Sequence, residues 1–570
     1  VVKLKRTLIA ACTAALFSSL AQASDMGDTV SAFQADQRAI SNFYRVHEKA
    51  SYYQRELALL QDWQANLEGL SFDEMDQEAK VDYLLLNAKV KDLLISTKNA
   101  YKGYQDVAAV ANFAPPLYAF IDARRRGARP DAKQLAADFA DAVKAINTQK
   151  AKQEKSPYSD WQKADKAAKV ILDLKSGLEE AIHFYNDYDP QFTWWMETPI
   201  VTLISNLDSY AAFLAENYTS DTTKDDGSGI IGNPIGKQAL IDQLRASFIA
   251  YDPEDLIDIA REQFDWCKEQ MILASREMGY GDDWKAALEA VKDTYVPPGE
   301  QPQTINDLLE HSVKFVEDRD LITLPPLAKE TWRMIMMTPE RQKVNPFFTG
   351  GRNISISYPT EGMTHADKLM SMRGNNPNFS YPTVQHELLP GHNLQFFMNQ
   401  RHKPYREAFR NPFWTEGWAL YWEIILWDKD FATTPEQKMG MLFWRIHRCA
   451  RIMFSLQYHL GEITPQQAID MLVNEVGHEY ANAEAEVRRS FATNYVPLYQ
   501  LAYMIGGLQF NALRNEMLAK GWTEKQFHDR VMQENTMPIE VLRLLIQEKD
   551  FDRDYETQWR FSTSFTSDDK

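Results

Sequence analysis

The residues with the most chemical content lie in one stretch, TVQHELLPGHNLQ, residues 383–395. His386 and Glu387 open it like the zinc-binding H-E-x-x-H helix, in which the second histidine follows the first by four residues. Here Pro390 stands at that fourth position, and the next histidine, His392, comes at the sixth. A helix turns about 100° per residue, so a spacing of four leaves two side chains about 40° apart and a spacing of six about 120°. A regular helix therefore cannot aim both imidazoles at one ion. Pro390 removes a backbone donor and Gly391 tolerates unusual dihedrals, so the pair can loosen the helix and swing His392 back. The expectation is a bulge that absorbs the two extra residues.

Glu387 would then stand beside the ion without binding it, where a general base takes a proton from water. A third ligand is available in TEGWALYWE, residues 415–423, a helical pattern with Glu416 and Glu423 seven apart. Two residues at that spacing fall within about 20° of each other on a helix. Glu416 lies far enough beyond His392 for a loop and a returning helix. Glu423, two turns on, is suited to orient a ligand histidine by hydrogen bond. A plainer reading remains open: a buried structural histidine followed by a helix-breaking Pro-Gly. The chain also contains His47-Glu48 and His478-Glu479, and neither has a second histidine within six residues downstream.

The elements that must position these groups are helical. Leu60, Trp63, Leu67 and Leu70 follow one helix face, as do Ile171, Leu174, Leu178 and Ala181. Thr434-Pro435-Glu436-Gln437 and Thr464-Pro465-Gln466-Gln467 each place a capping Thr before Pro, with Gln three residues after the Thr. Asp252-Pro253 is a similar start. One strand is expected at Ile354–Tyr358, where apolar and polar residues alternate up to Pro359, after Gly350 and Gly351. Its edge could receive a substrate backbone as an added strand. The stretch TSDTTKDDGSGIIGNPIGK marks a break. It divides the chain into an N-terminal helical region (24–220), a linker or surface loop (221–237) and a region that carries the motifs (238–570).

The 570 residues are 44% hydrophobic and 25% charged, enough to bury a core. A net charge of −18 argues against nucleic acid as a partner. Residues 1–23 have a secretory pattern: Lys3, Lys5 and Arg6, an apolar run from Leu8 to Leu20, then Ala21-Gln22-Ala23. Cleavage there would remove three positive charges and leave −21. The expected destination is the periplasm or the medium. Reading Ile9-Ala10-Ala11-Cys12 as a lipoprotein box leaves too short an apolar run before the cysteine. The run is also too short to span a bilayer, and no later segment is long and apolar enough. Cys267 and Cys449 are the cysteines left after cleavage, expected as buried thiols.

HELLPGHNLQ and EGWALYWE resemble the bacterial family of domain of unknown function 885, with its His-Glu-x-x-Pro-Gly-His and Glu-Gly-Trp-Ala-x-Tyr-x-Glu pattern. RCARIMFSLQYHL, VPLYQLAYMIGGLQ and FHDRVMQENTMP are similar to its later segments, in the same order. The family looks like a helical relative of zinc metallopeptidases. The resemblance implies a mainly α, zincin-like helical body around a central cleft, with a small β element near the metal. It also implies one Zn2+ per chain on His386, His392 and Glu416, with Glu387 as base. Ser455 stands where the family usually has Asp, and Tyr499 where it usually has Gln.

Attack of water on an amide creates an oxyanion that needs a donor, for which Tyr503 and His459 are candidates. Each could equally be a hydrogen-bonded core residue. Arg445, Arg448 and Arg451 lie on an otherwise apolar helix. One of them could grip a substrate carboxylate, but pairing with internal acids such as Glu484 or Glu486 is favoured. The expected function is an exported zinc metallohydrolase that cleaves short peptides. The alternatives are an amidase acting on a cell-wall or other non-peptide amide, and a peptide-binding protein with a lapsed site.

Overall fold

The start signals in the sequence are used as helix caps. Thr434 and Gln437 form a reciprocal capping box, as do Thr464 and Gln467, and Asp252 pairs likewise with Asp255. The computed structural model describes residues 26–219, 225–344, 347–492 and 495–562. The expected leader, residues 1–23, and the start of the expected linker lie outside the described residues. The fold is mainly α, with one two-stranded sheet. Among the described residues no helix is long and apolar enough to cross a membrane.

The chain forms two units. The first comprises residues up to 74 and 86–224, the second 75–85 and 225–570. In the first, the helices Ala132–Gln153 and Trp161–Tyr185 both pack on Pro190–Glu216. Ile171, Leu174, Leu178 and Ala181 are buried in its core, as their spacing requires. Leu60 and Leu67 are buried as well, but that helix stops at Glu68, short of Leu70.

Eight helices of the second unit matter for the site. They are α1 (Pro253–Glu277), α2 (Pro377–Glu387), α3 (His392–Asn399) and α4 (Pro412–Asp428). Then come α5 (Pro435–Leu460), α6 (Tyr480–Phe491), α7 (Tyr499–Ala519) and α8 (Glu524–Glu534). Helix α4 is buried along most of its length, its two glutamates Glu416 and Glu423 included, and Trp414, Trp418 and Trp422 are fully buried. Such a helix belongs at the centre of a body, not on its surface. It packs most extensively on α7, while α5 packs on α1 and α2. The α4–α7 crossing is tight because glycines face each other. A Cβ on Gly506 would lie 2.2 Å from the Phe413 carbonyl oxygen and 2.7 Å from Gly417 Cα. Cys267 on α1 and Cys449 on α5 are free buried thiols, and burial, with Cys267 beside it, raises the Cys449 pKa.

The expected strand is shorter than its sequence pattern. Strand β2 (Ile354–Ile356) pairs in parallel with β1 (Met334–Met336). Its other edge is also occupied, because Ser355 exchanges backbone hydrogen bonds with Thr349 at 3.0 and 2.7 Å. The idea that a substrate backbone could extend this strand is therefore corrected: both edges are already paired within the chain.

The segment between α3 and α4 is held by a buried ion cluster. Arg406, with no exposed surface, donates to Asp82 at 2.7 Å and to Glu534 at 2.7 Å. Asn535 adds amide hydrogen bonds to the carbonyls of Asn399, His402 and Lys403. The QENTMP segment thus clamps the connection that carries the chain from His392 to Glu416. Arg406→Met takes the guanidinium from buried Asp82, which keeps the Tyr405 hydroxyl, and from Glu534, which keeps Lys403 and Arg530, and is expected to cost about 3 kcal/mol. Urea denaturation followed by tryptophan fluorescence measures this.

His528 on α8 sits against Trp418, Tyr421 and Trp422. Its Nδ1 lies 2.6 Å from the Leu321 carbonyl and its Nε2 2.6 Å from the Tyr421 hydroxyl. Burial keeps the Tyr421 phenol protonated, so the ring donates from Nδ1 and accepts at Nε2. Burial also pushes the His528 pKa down from 6.5 to about 4. As pH falls, the unfolded chain takes up this proton first. The contribution of neutral His528 to stability is therefore complete above pH 6.5 and is lost as pH falls toward 4. His528→Gln is expected to show a shallower loss of stability over that window than the parent, measured by denaturation at stepped pH.

Candidate functional site

Helix α2 ends at Glu387, one residue after its last imidazole. Leu388 donates to Val384 at 2.9 Å, then leaves helical geometry at φ −112°, ψ −110°. Pro390 has no N–H to continue the ladder. Gly391 donates back to the Gln385 carbonyl at 2.9 Å, so close that a Cβ there would lie 2.0 Å from the His386 oxygen. A new helix, α3, begins at His392. The expected bulge within one helix is thus corrected to a break between two helices. The result for the side chains is the one the spacing needed. The imidazoles of His386 and His392 lie 4.9 Å apart at 90°.

Glu416, on α4, reaches both rings. Its Oε2 is 3.2 Å from His392 Nε2 and 3.7 Å from His386 Nε2. Ligand atoms of His386, Glu387 and His392 also lie within 4.8 Å of one another. Of the two carboxylates, Glu416 is the better third ligand, because one oxygen sits near both Nε2 atoms. Adjacent ligands around tetrahedral zinc are separated by about 3.3 Å, from metal–ligand bonds of roughly 2.0–2.1 Å.

Two of the three groups, His386 and Glu416, are oriented from behind, whereas His392 Nδ1 is buried without a partner among the described residues. Glu423 lies 2.6 Å from His386 Nδ1, which leaves Nε2 facing Glu416. Tyr499 donates its hydroxyl to Glu416 Oε1, which leaves Oε2 facing the histidines. Trp418 donates to the Pro390 carbonyl at 2.9 Å and ties α4 to the break itself. Burial opposes a charge on His386, whose residue is 1% exposed, but Glu416 and Glu423 outweigh it and raise the pKa to about 9. Burial likewise opposes ionisation of Glu416, yet the two histidines hold its carboxyl well below the usual range. The cluster attracts positive charge, whether proton or metal, and its donor types suit zinc.

Glu387 is half-buried and accepts from the backbone N–H of Gly350. Two cavities meet at its carboxylate. One, of about 580 Å³, is bordered by Gly350, His392, Glu416 and Tyr499. The other, of about 100 Å³, is bordered by His386, Arg448, Arg451 and Glu486. Thr349, Arg489 and Tyr503 line both. The Tyr503 ring stacks 6.2 Å from His386, and burial with the nearby Glu416 carboxylate keeps its phenol protonated. A protonated phenol is able to donate. His459 lines neither cavity. Its ring lies against Tyr458 and Phe491, and burial pushes its pKa down to about 4. Arg451 lies 2.8 Å from Glu486, whereas Arg448 comes no nearer to Glu423 than 3.9 Å. Arg445 stacks on Trp266 and donates to Gln263, away from both cavities.

Sequence reasoning gave no role to Gly350 or Tyr499. Tyr499 stands one turn before Tyr503 and so shares its helix face, a signal that could have found it. Gly350 was visible only as half of a Gly-Gly pair, and its need to be glycine comes from Glu387. A Cβ on Gly350 would lie 2.3 Å from Glu387 Oε2 and 2.7 Å from its Cβ. Gly350→Ala must open this contact, at an expected cost of about 1–3 kcal/mol. Gly362→Ala, where a Cβ meets nothing within 4 Å, is the near-neutral control for the same chemical denaturation.

Residues 44–546 match the family described as "Bacterial protein of unknown function (DUF885)". No curated protein matches the chain. Among solved structures the chain is similar to a candidate lipoprotein of unknown function from Shewanella oneidensis. The identity is 17% and the TM-score 0.69, over 92% of this chain and 100% of that one. It is also similar to a candidate lipoprotein from Colwellia psychrerythraea, at 16% identity and TM-score 0.57, over 92% and 97%. At these identities the likeness is one of fold.

Proposed function

This chain belongs to the bacterial DUF885 family, and on that premise we propose that it is an exported zinc-dependent metallohydrolase that cleaves short peptides. The observation that carries the reading is the single oxygen, Glu416 Oε2, lying 3.2 and 3.7 Å from two imidazole nitrogens, with the Glu387 carboxylate beside them. His386, His392 and Glu416 would hold the ion. When bound, zinc polarises the scissile carbonyl and makes water acidic enough to attack at neutral pH. Glu387 takes the proton of the attacking water and hands it to the leaving amine. The Gly350 N–H fixes one oxygen of that carboxylate and so orients the other. Tyr503, held as a neutral phenol, donates to the developing oxyanion. Glu423 keeps His386 in the tautomer that offers Nε2. A zincin-like body with its cleft at the two cavities accommodates short chains. The basic start and apolar run of residues 3–20 support export, as do the fold neighbours described as candidate lipoproteins.

Protein purified without a histidine tag is expected to carry about one zinc per chain by elemental analysis. Glu387→Gln should keep that zinc and lose turnover by about 100-fold or more. A peptide-library digest read by mass spectrometry supplies the substrate for both measurements. Full turnover in Glu387→Gln, or a chain that takes up no zinc, overturns the reading. Cleavage confined to non-peptide amides would replace the peptidase with an amidase.

A further inference from the structure

The smaller cavity has a composition that water or an apolar side chain would not require. Arg448 and Arg451 are three residues apart on α5 and lie on one face of it. Each is 5% exposed, and each guanidinium lies over the ring of Tyr503, at 4.6 and 4.7 Å. Their internal compensation is uneven. Glu486 is fully engaged: it meets Arg451 at 2.8 Å, Arg489 at 2.7 Å and Gln500 at 2.7 Å. Glu423 is 3.9 Å from Arg448, beyond hydrogen-bond reach, and its nearer oxygen already serves His386. Arg448 Nε and Arg451 Nη1 are buried without a hydrogen-bond partner. Two neighbouring buried cations with unused N–H groups are costly unless an anion joins them.

The cavity, of about 100 Å³, runs from these groups to His386 and Glu387. The second cavity that Glu387 lines is several times larger. A substrate chain has room in the larger cavity, and the small arginine-lined chamber takes a short, acidic end.

We propose that Arg448 and Arg451 form a carboxylate-binding subsite that selects peptides presenting a carboxylate one residue from the bond that is cut. The carboxylate is either the α-carboxylate of a terminal residue or the side chain of an Asp or Glu. Planar guanidinium forks match either one by paired N–H···O bonds. This inference rests on the peptidase reading, and it makes the enzyme selective for an acidic or terminal residue rather than an apolar one.

The test uses the zinc-loaded full chain and matched peptides. One pair differs only in a C-terminal acid against its amide. A second pair, both amide-capped, differs in Glu against Gln at the residue beyond the cleaved bond. The expected result is a preference on the order of 100-fold in kcat/KM for the acid member of one pair. The first pair reports an α-carboxylate and the second a side chain. In Arg448→Met the preference should collapse toward unity. Thermal shift with millimolar glutarate is the independent readout: it should stabilise the parent and not Arg448→Met or Arg451→Met, with zinc content checked in each. Equal cleavage of both members of both pairs overturns the subsite and leaves the peptidase intact. If no peptide is cleaved, the peptidase reading falls, and glutarate decides the subsite alone. Stabilisation lost in the methionine variants retains it, and no stabilisation of the parent removes it.

Discussion

Backbone touches backbone where Gly417 of α4 crosses Gly506 of α7, and the geometry of the centre follows from that contact. Without side chains between them, the two helices approach closely enough for the Tyr499 hydroxyl to reach Glu416. The same crossing sets Tyr503 beside His386. Helix α4 then acts as the spine of the site. Its Glu416 faces the histidine pair, its Trp418 grips the Pro390 carbonyl and its Glu423 holds His386 from behind. A shift of one helical residue, about 1.5 Å along the axis and 100° around it, would separate all of these partners.

The charged groups at the centre are tolerated in this apolar interior where an opposite charge or a directed hydrogen bond meets them. Burial alone would favour the neutral forms of Glu416 and His386; His392 and His386 lower the Glu416 pKa against it, and Glu416 and Glu423 raise that of His386. The same rule operates at a distance from the chemistry. Arg406 is buried because Asp82 and Glu534 accept from it, and with Asn535 it fixes the connection between α3 and α4. The C-terminal segment of the chain therefore serves the centre mechanically, through the path of the backbone that separates His392 from Glu416. Arg448 and Arg451 depart from the rule, since guanidinium N–H groups there remain unused.

How much was legible can be judged from particular residues. The capping boxes at Thr434 and Thr464, the buried face at Ile171 and Leu174, and the return of His392 toward His386 follow from local spacing and local chemistry. Each depends on residues a few positions apart, or on one helix pairing with the next. The misreadings have a common cause. A run of alternating residues did not tell that Thr349 folds back onto Ser355 and closes the outer edge of β2. Nor did the ring of His459 reveal that it faces Tyr458 and Phe491 instead of a cavity. Tyr499 looked like a departure from a family pattern, yet it is the donor that orients Glu416.

By itself the sequence determined the helical character, the starts of the helices and the disruption of helical geometry at Pro390-Gly391, though as a bulge and not as the break between two helices that the fold contains. Those properties come from dihedral preferences and periodicity, which act over one or two turns. The tertiary structure alone decided which oxygen of Glu416 faces the histidines, that Gly350 must be a glycine, and that Arg448 and Arg451 line a cavity with Glu387 while some of their donors stay unused. These are outcomes of helices crossing at distances set by side-chain volume, and no local pattern along the chain encodes the distance between them.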